Sequence, residues 1–307
     1  MSSSTEASAP SVRLCPIASG VAVTYLVGVV FAWYAHRDSV FGTQVTVVPL
    51  YCLGVALWWG TLRYTRGLRL RDLGREALTV AVTSLGLFGL LWYFGRRGSY
   101  PLALPTDPNG LERLLPFFYF AFSCVVMRMV FPLWIARKFL GTGPRDYGYR
   151  TQGMSRVVWV YAVLLLAAVP MVWFASTRPD FIHKYPLCRT AIEDGTLLLG
   201  TFVVYELAYL MIFVSGESFW RGYILFGLNR RIGLNALFFM LFPYVLSHLG
   251  KPMFETLGAI AAGLLLGGLA LAHGSFWLGV ALHYGVAVMM DLFALVARGV
   301  SLIPGGS

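Results

Sequence analysis

Charge is what this sequence has least of. Charged residues make up 12% of its 307 residues, about half the roughly 25% of a typical soluble domain. Hydrophobic residues reach 58% and the mean hydropathy is +0.70. A soluble globular domain is thereby excluded, and the chain reads as an integral membrane protein. Acids are scarcer than bases, with 14 Asp and Glu against 24 Lys and Arg. Lysine occurs only at Lys138, Lys184 and Lys251, so the excess is almost all arginine, placed in short segments between apolar runs. Membrane topology explains it better than nucleic acid does. No nucleic-acid partner is expected, and membrane lipids are.

Cysteine is sparse as well. Cys15, Cys52, Cys124 and Cys188 form no CxxC pair and no zinc-ribbon spacing, which leaves packing as their role. No HExxH pair exists. The N-terminus lacks a positive n-region, so residues 1–14 read as a disordered tail before a first span, without a cleaved signal peptide.

Apolar runs are abundant. A span needs about 20 apolar residues, and candidates run Cys15 to Ala35, Gln44 to Leu62, Ala77 to Gly95, Leu114 to Ala136, Val157 to Ala175, Thr196 to about Leu228, Leu234 to Leu249, Thr256 to Ala272 and Ser275 to Ala297. The pieces near Leu249 and Thr256 could be half-spans, so the fold class is all-α, a polytopic membrane helix bundle of eight or nine helices. Two arginine clusters abut spans on one side: Arg63, Arg66, Arg69, Arg71 and Arg75, then Arg137, Lys138, Arg145, Arg150 and Arg156. The excess of positive charge in cytoplasmic loops places that side, and the N-terminus, in the cytoplasm. The segments Leu70 to Arg75 and Pro144 to Arg150 look alike, and each is expected to be a short interfacial helix ending at Gly or a solvated basic loop.

Ionisable groups inside apolar runs are costly and must face protein or water. They gather in the last third of the chain: Glu206, Glu217, Arg221, His248, His283 and Asp291. Glu217 and Arg221 lie four residues apart on one helix face, either as a neutralising ion pair or as a carboxylate held for chemistry. His283 and Asp291 share a stripe about 12 Å apart along the axis, too far for a direct hydrogen bond. Glu206 sits eleven residues before Glu217 and reads as a structural carboxylate bonded to tyrosine or arginine. Arg128, alone in its run, needs a partner. His36, His183 and His273 stand at loop positions and are not expected to be catalytic.

The order Glu-x-x-x-Arg-Gly at Glu217, Arg221 and Gly222, then Tyr244 with His248, then a helix carrying Gly263, Gly267 and Gly268 followed by Gly274, Ser275 and Trp277, then His283, resembles the CPBP family. These are the intramembrane CAAX-protease and bacteriocin-processing (Abi) proteins. The resemblance covers roughly Tyr205 to Ala297 and implies a catalytic helix core over 196–297, after N-terminal transmembrane helices over 15–195 and before a C-terminal tail over 298–307. Two positions depart from the family pattern. Gly216 stands where the first of two paired glutamates is usual, and Ala287 stands where an Asn usually follows the last His; Asp291 is the polar residue nearest to that stripe.

The resemblance implies an intramembrane endopeptidase hydrolysing a membrane-associated or lipid-modified peptide. Glu217, Arg221, His248 and His283 are its expected site, with Asp291, Glu206 and Tyr244 as secondary candidates. Hydrolysis in a membrane needs water, a base and donors for the oxyanion. Glu217 is the expected base, with one of His248 and His283 orienting the water and the other donating to the oxyanion. Zinc on His248, His283 and Glu217 is one alternative and a metal-free site the other. The rival class is a non-hydrolytic membrane protein of the same fold that binds a peptide, lipid or partner. A bacterial cytoplasmic membrane is the expected location.

Overall fold

The computed structural model describes residues 12–104 and 111–301. Most of the expected N-terminal tail, and residues 302–307 of the C-terminal tail, lie outside the described residues. Helix α1 (Pro16–Ala35) starts on a proline, whose fixed φ suits a first turn, and α2 (Val47–Arg66) ends at Gly67 in the left-handed region (φ 67°). Helix α3 (Gly74–Phe94) follows. Helices α4 (Leu115–Val125) and α5 (Phe131–Ile135) are joined by a π-helical stretch around Arg128. Next come α6 (Met154–Ser176) and the short α7 (Pro179–Lys184). Antiparallel strands β1 (Ile192–Glu193) and β2 (Thr196–Leu197) make a small hairpin before the next helix.

The last third holds α8 (Leu199–Glu217), a π-helix over Ser218–Phe226, and α9 (Gly227–Ile232), one continuous helical rod. At 1.5 Å per residue it runs about 50 Å, longer than a hydrocarbon core of about 30 Å. Helix α10 (Ala236–Leu246) is only 11 residues long. It returns beside the rod, and the chain then enters α11 (Met253–His273) and α12 (Trp277–Ala297). Among the described residues eight helices are long and apolar enough to cross a membrane, with the rod and α10 forming one of them. The ninth expected run is thus a partial span continuous with its neighbour.

Packing in this part depends on missing side chains. A Cβ at Gly263 would come within 2.5 Å of Leu241 and 2.9 Å of Tyr244, and one at Gly267 within 2.6 Å of Leu237. The small residues of α11 let α10 lie against it, as small-residue interfaces do in bilayers. The start of α10 is held by Asn235, whose Oδ1 accepts from the Cys15 N–H at 2.9 Å. Its far end is held by Thr256, whose hydroxyl donates to the His248 carbonyl at 2.9 Å and bonds Tyr34 Oη of α1 at 2.8 Å.

Each of the two look-alike loops holds a short 3-10 helix, Leu70–Leu73 and Pro144–Tyr147, followed by Gly. In each, the aspartate of the first turn accepts from the backbone N–H three residues earlier, Asp72 from Arg69 at 2.7 Å and Asp146 from Gly143 at 2.8 Å. Gly74 (φ 68°) and Gly148 (φ 78°) then reverse the chain. Arg230 of α9 joins them, reaching Glu76 at 2.7 Å and Asp146 at 3.3 Å.

Candidate active site

Three helices and one helix end bring the polar groups together. Glu217 closes α8, Arg221 lies one turn later in the π-helix, His283 sits in the second turn of α12, and His248 follows α10. Glu217 and Arg221 are fully buried, His248 is buried, and the His283 side chain keeps 15% of its surface exposed. Glu217 Oε1 accepts from Arg221 Nη1 at 2.8 Å and from His283 Nδ1 at 2.8 Å. Buried Arg221 is therefore paired, and it also lies over the Tyr244 ring, 4.0 Å from its centroid, where cation–π attraction adds to the ion pair.

The two histidines are oriented by what their Nδ1 atoms touch. A carboxylate only accepts, so His283 Nδ1 carries the proton shared with Glu217. His248 Nδ1 is 2.7 Å from the Tyr244 carbonyl, which also only accepts. In the neutral imidazoles both Nε2 atoms are left as acceptors. The rings lie nearly parallel, 12° apart in plane and 6.2 Å between centroids. Phe213 meets His283 edge-on at 4.7 Å, and Tyr244 packs on both histidines, at 4.8 and 5.8 Å. The carboxylate has close backbone on its other side: a Cβ at Gly279 would stand 3.3 Å from Glu217 Oε2.

Asp291 and Glu206 do not join this group. Asp291 Oδ1 accepts from the Leu187 N–H at 3.1 Å and Oδ2 from Tyr205 Oη at 3.0 Å, which fixes the segment between α7 and β1. Glu206 accepts from Tyr284 Oη at 3.1 Å. Tyr244 contributes its ring and its carbonyl. Arg128 is buried and has no carboxylate partner among the described residues; its guanidinium instead lies 4.8 Å from the Trp220 ring centroid.

Residues 197–289 match the model of a family described as type II CAAX prenyl endopeptidase Rce1-like. The match takes in Glu206, Glu217, Arg221, Tyr244, His248 and His283, stops short of Asp291, and covers about a third of the chain. The resemblance to the CAAX-protease family drawn from the sequence is borne out over this region. Together with the eight span-length helices it makes the chain an integral membrane protein. No curated protein and no solved structure matches.

Trp220 is the residue of this core that carries no signal in the sequence. Gly216 was noticed as a lost carboxylate, yet the residue that answers it is Trp220, one turn on. A Cβ at Gly216 would fall 2.6 Å from Trp220 Cζ3, so the space a side chain at 216 needs is filled by indole. That ring is held edge-on against Tyr244 at 5.0 Å and under Arg128, so it cannot swing aside freely. Gly216→Ala is expected to lower stability by about 1 to 3 kcal/mol through overpacking. Adding Trp220→Leu should recover most of that loss. Thermal melting of the two single variants and the double in detergent checks it; additive losses would show that the two positions do not compete for space.

Tyr149 and Ser218 were also missed. Tyr149, in the arginine-rich loop, bonds the Ser218 hydroxyl next to Glu217, and it packs edge-on against Phe276 and Trp277. Burial pushes the Tyr149 phenol up, and the Ser218 bond opposes that shift. The loop residue Arg150 accepts through its carbonyl from Ser275 Oγ at 2.6 Å. The loop is thus fastened to both helices that carry Glu217 and His283.

Among the described residues no three His, Cys, Asp or Glu side chains are placed to hold a metal ion. Glu217 directs Oε1 to Arg221 and His283, and its Oε2 is buried without a hydrogen-bond partner among the described residues. Four tetrahedral positions with three protein ligands are the usual catalytic requirement. No step below is therefore routed through a metal.

Proposed function

We propose that this protein is an intramembrane endopeptidase that hydrolyses a membrane-associated or lipid-modified peptide, with His283 as general base and Glu217 as the group that orients it. The observation that carries the reading is the shared oxygen of Glu217, which holds Arg221 and His283 at 2.8 Å each. That bond fixes the tautomer in which His283 Nε2 accepts. Water bound at this nitrogen loses a proton to it as the oxygen attacks the scissile carbonyl, and the resulting imidazolium is stabilised by the Glu217 carboxylate. The same proton then passes to the leaving amine. His248, with Nε2 also an acceptor, orients the water through its other proton. This division of labour differs from the expectation that Glu217 itself is the base: its Oε1 is shared by Arg221 and His283, and its Oε2, which has no partner among the described residues, is buried, whereas the His283 side chain keeps 15% of its surface exposed.

A second reading, a non-hydrolytic member of the fold that holds a peptide, lipid or partner, is favoured by Trp220 filling the space over Gly216 and by Ala287 in place of the usual polar residue. One experiment separates the two. The purified protein in detergent is incubated with farnesylated and unmodified peptides, with and without EDTA, and products are read by mass spectrometry. Cleavage of the farnesylated peptide that survives the chelator is the expected result. Cleavage abolished by EDTA and restored by zinc would overturn the metal-free mechanism, and intact peptide retained on the protein would establish the binding reading.

A further inference from the structure

An apolar cleft of about 300 Å³ opens between α2 and α3 beneath α9 and α10, well apart from Glu217. Val55 and Trp59 form one wall, Ala81 and Leu85 the other, and Phe239 closes the back. Leu70, Leu73 and Ile232 mark its arginine-rich end. The basic residues of that end alternate with or adjoin the lining: Arg69 and Arg71 flank Leu70, and Arg231 precedes Ile232. All three are exposed. Arg71 has only a loose contact of 3.8 Å with Asp72, and Arg69 and Arg231 have no carboxylate partner among the described residues. The Arg231 guanidinium lies over Gly74, within 3.5 Å of where a Cβ would stand, so it leans toward the loop that ends the cleft.

The cleft therefore has an apolar body, with Trp58 and Trp59 in its lining, and guanidinium groups without carboxylate partners among the described residues beside its mouth. We propose that it binds one anionic glycerophospholipid, with an acyl chain between α2 and α3 and the headgroup phosphate against Arg69 and Arg231.

Arginine is suited to phosphate by its planar donor fork, and a basic residue near an anionic headgroup is worth about a five-fold gain in affinity. The site would tie α2, α3 and α9 together at the face from which the arginine-rich loops project. It is independent of the hydrolase reading, since none of its residues touches Glu217, His248 or His283.

The test uses the full chain, delipidated in detergent, with short-chain phosphatidylglycerol, short-chain phosphatidylcholine and inorganic phosphate as probes. Thermal shift and native mass spectrometry are the readouts. Phosphatidylglycerol is expected to raise the melting temperature at concentrations at least ten-fold lower than phosphatidylcholine, with one lipid retained per chain and no shift from phosphate. Arg69→Gln with Arg231→Gln, both on exposed side chains, should erase the preference between the two lipids. Ala81→Trp should block retention of either. Equal shifts from the two lipids in the wild type, or full retention in Ala81→Trp that melts like the parent, would overturn the proposal. A phosphate shift equal to that of the lipid would reassign the arginines to a free anion. A dimer lost only in Ala81→Trp would reassign the cleft to a second copy of the chain.

Discussion

Glu217→Gln is expected to slow peptide hydrolysis by about 10² to 10⁴, a loss separate from the stability given up when buried Arg221 is left without its counter-charge. Gln keeps the size of the side chain, and its carbonyl can still accept from Arg221 Nη1, which stands 2.8 Å from the native oxygen. What changes is the charge beside His283. The oxygen that accepts from Arg221 is the one that accepts from His283 Nδ1, so the Gln carbonyl can hold both donors and leave Nε2 an acceptor. The imidazolium that forms when Nε2 takes a proton from water has lost the anion that stabilises it. His283→Ala should be comparably inactive, and the double variant no worse than either single one, because the pair acts as a unit. Steady-state kcat on the farnesylated peptide, beside the elution profile of each variant in detergent, checks this. A Glu217→Gln enzyme within ten-fold of the parent would remove Glu217 and its hold on His283 from the mechanism.

The bundle could be read from the sequence because each span is one uninterrupted apolar run and the bilayer fixes the length such a run must have. Helix α10 was legible only as one of two alternatives, a full span or a half-span. Its run, Leu234 to Leu249, has the composition of a span, but the helix stops at Leu246 and turns at Ser247 to Gly250 to deliver His248. That ending depends on Thr256 and Tyr34 in other helices. The stripe argument also has a limit in Glu206. Eleven residues put it on the face of Glu217 but about 16 Å away along the axis, and at that height its neighbour is Tyr284, not Arg221. The Glu217–Arg221 pair was visible because it is local, four residues on one helix. The partnership of Gly216 with Trp220 is equally local yet was silent, since a glycine shows the absence of a side chain and not what fills the space.

Arg221→Ala should cost stability before it costs catalysis. Arg221 is fully buried, is paired to Glu217 at 2.8 Å and is stacked on Tyr244. Removing it leaves the Glu217 carboxylate inside the bundle with His283 as its remaining partner. Breaking a buried pair from one side typically costs about 3 to 5 kcal/mol, a large share of a total stability of about 5 to 15 kcal/mol. Folded yield and melting temperature in detergent should both fall. The loss comes from an uncompensated charge, not only from lost packing, and the double variant Glu217→Gln with Arg221→Met isolates that cause. It removes both charges and restores bulk over Tyr244, so its melting temperature should return toward that of the parent although it cannot hydrolyse peptide. Arg221→Lys should fall between, since a point charge keeps the pair but not the planar stacking on the ring. If Arg221→Ala melts like the parent, the carboxylate has found another counter-charge and the pair does not hold the site together. If the double variant melts as low as Arg221→Ala, the loss lies in what Met does not replace, the planar stacking of the guanidinium on Tyr244, and not in an uncompensated charge.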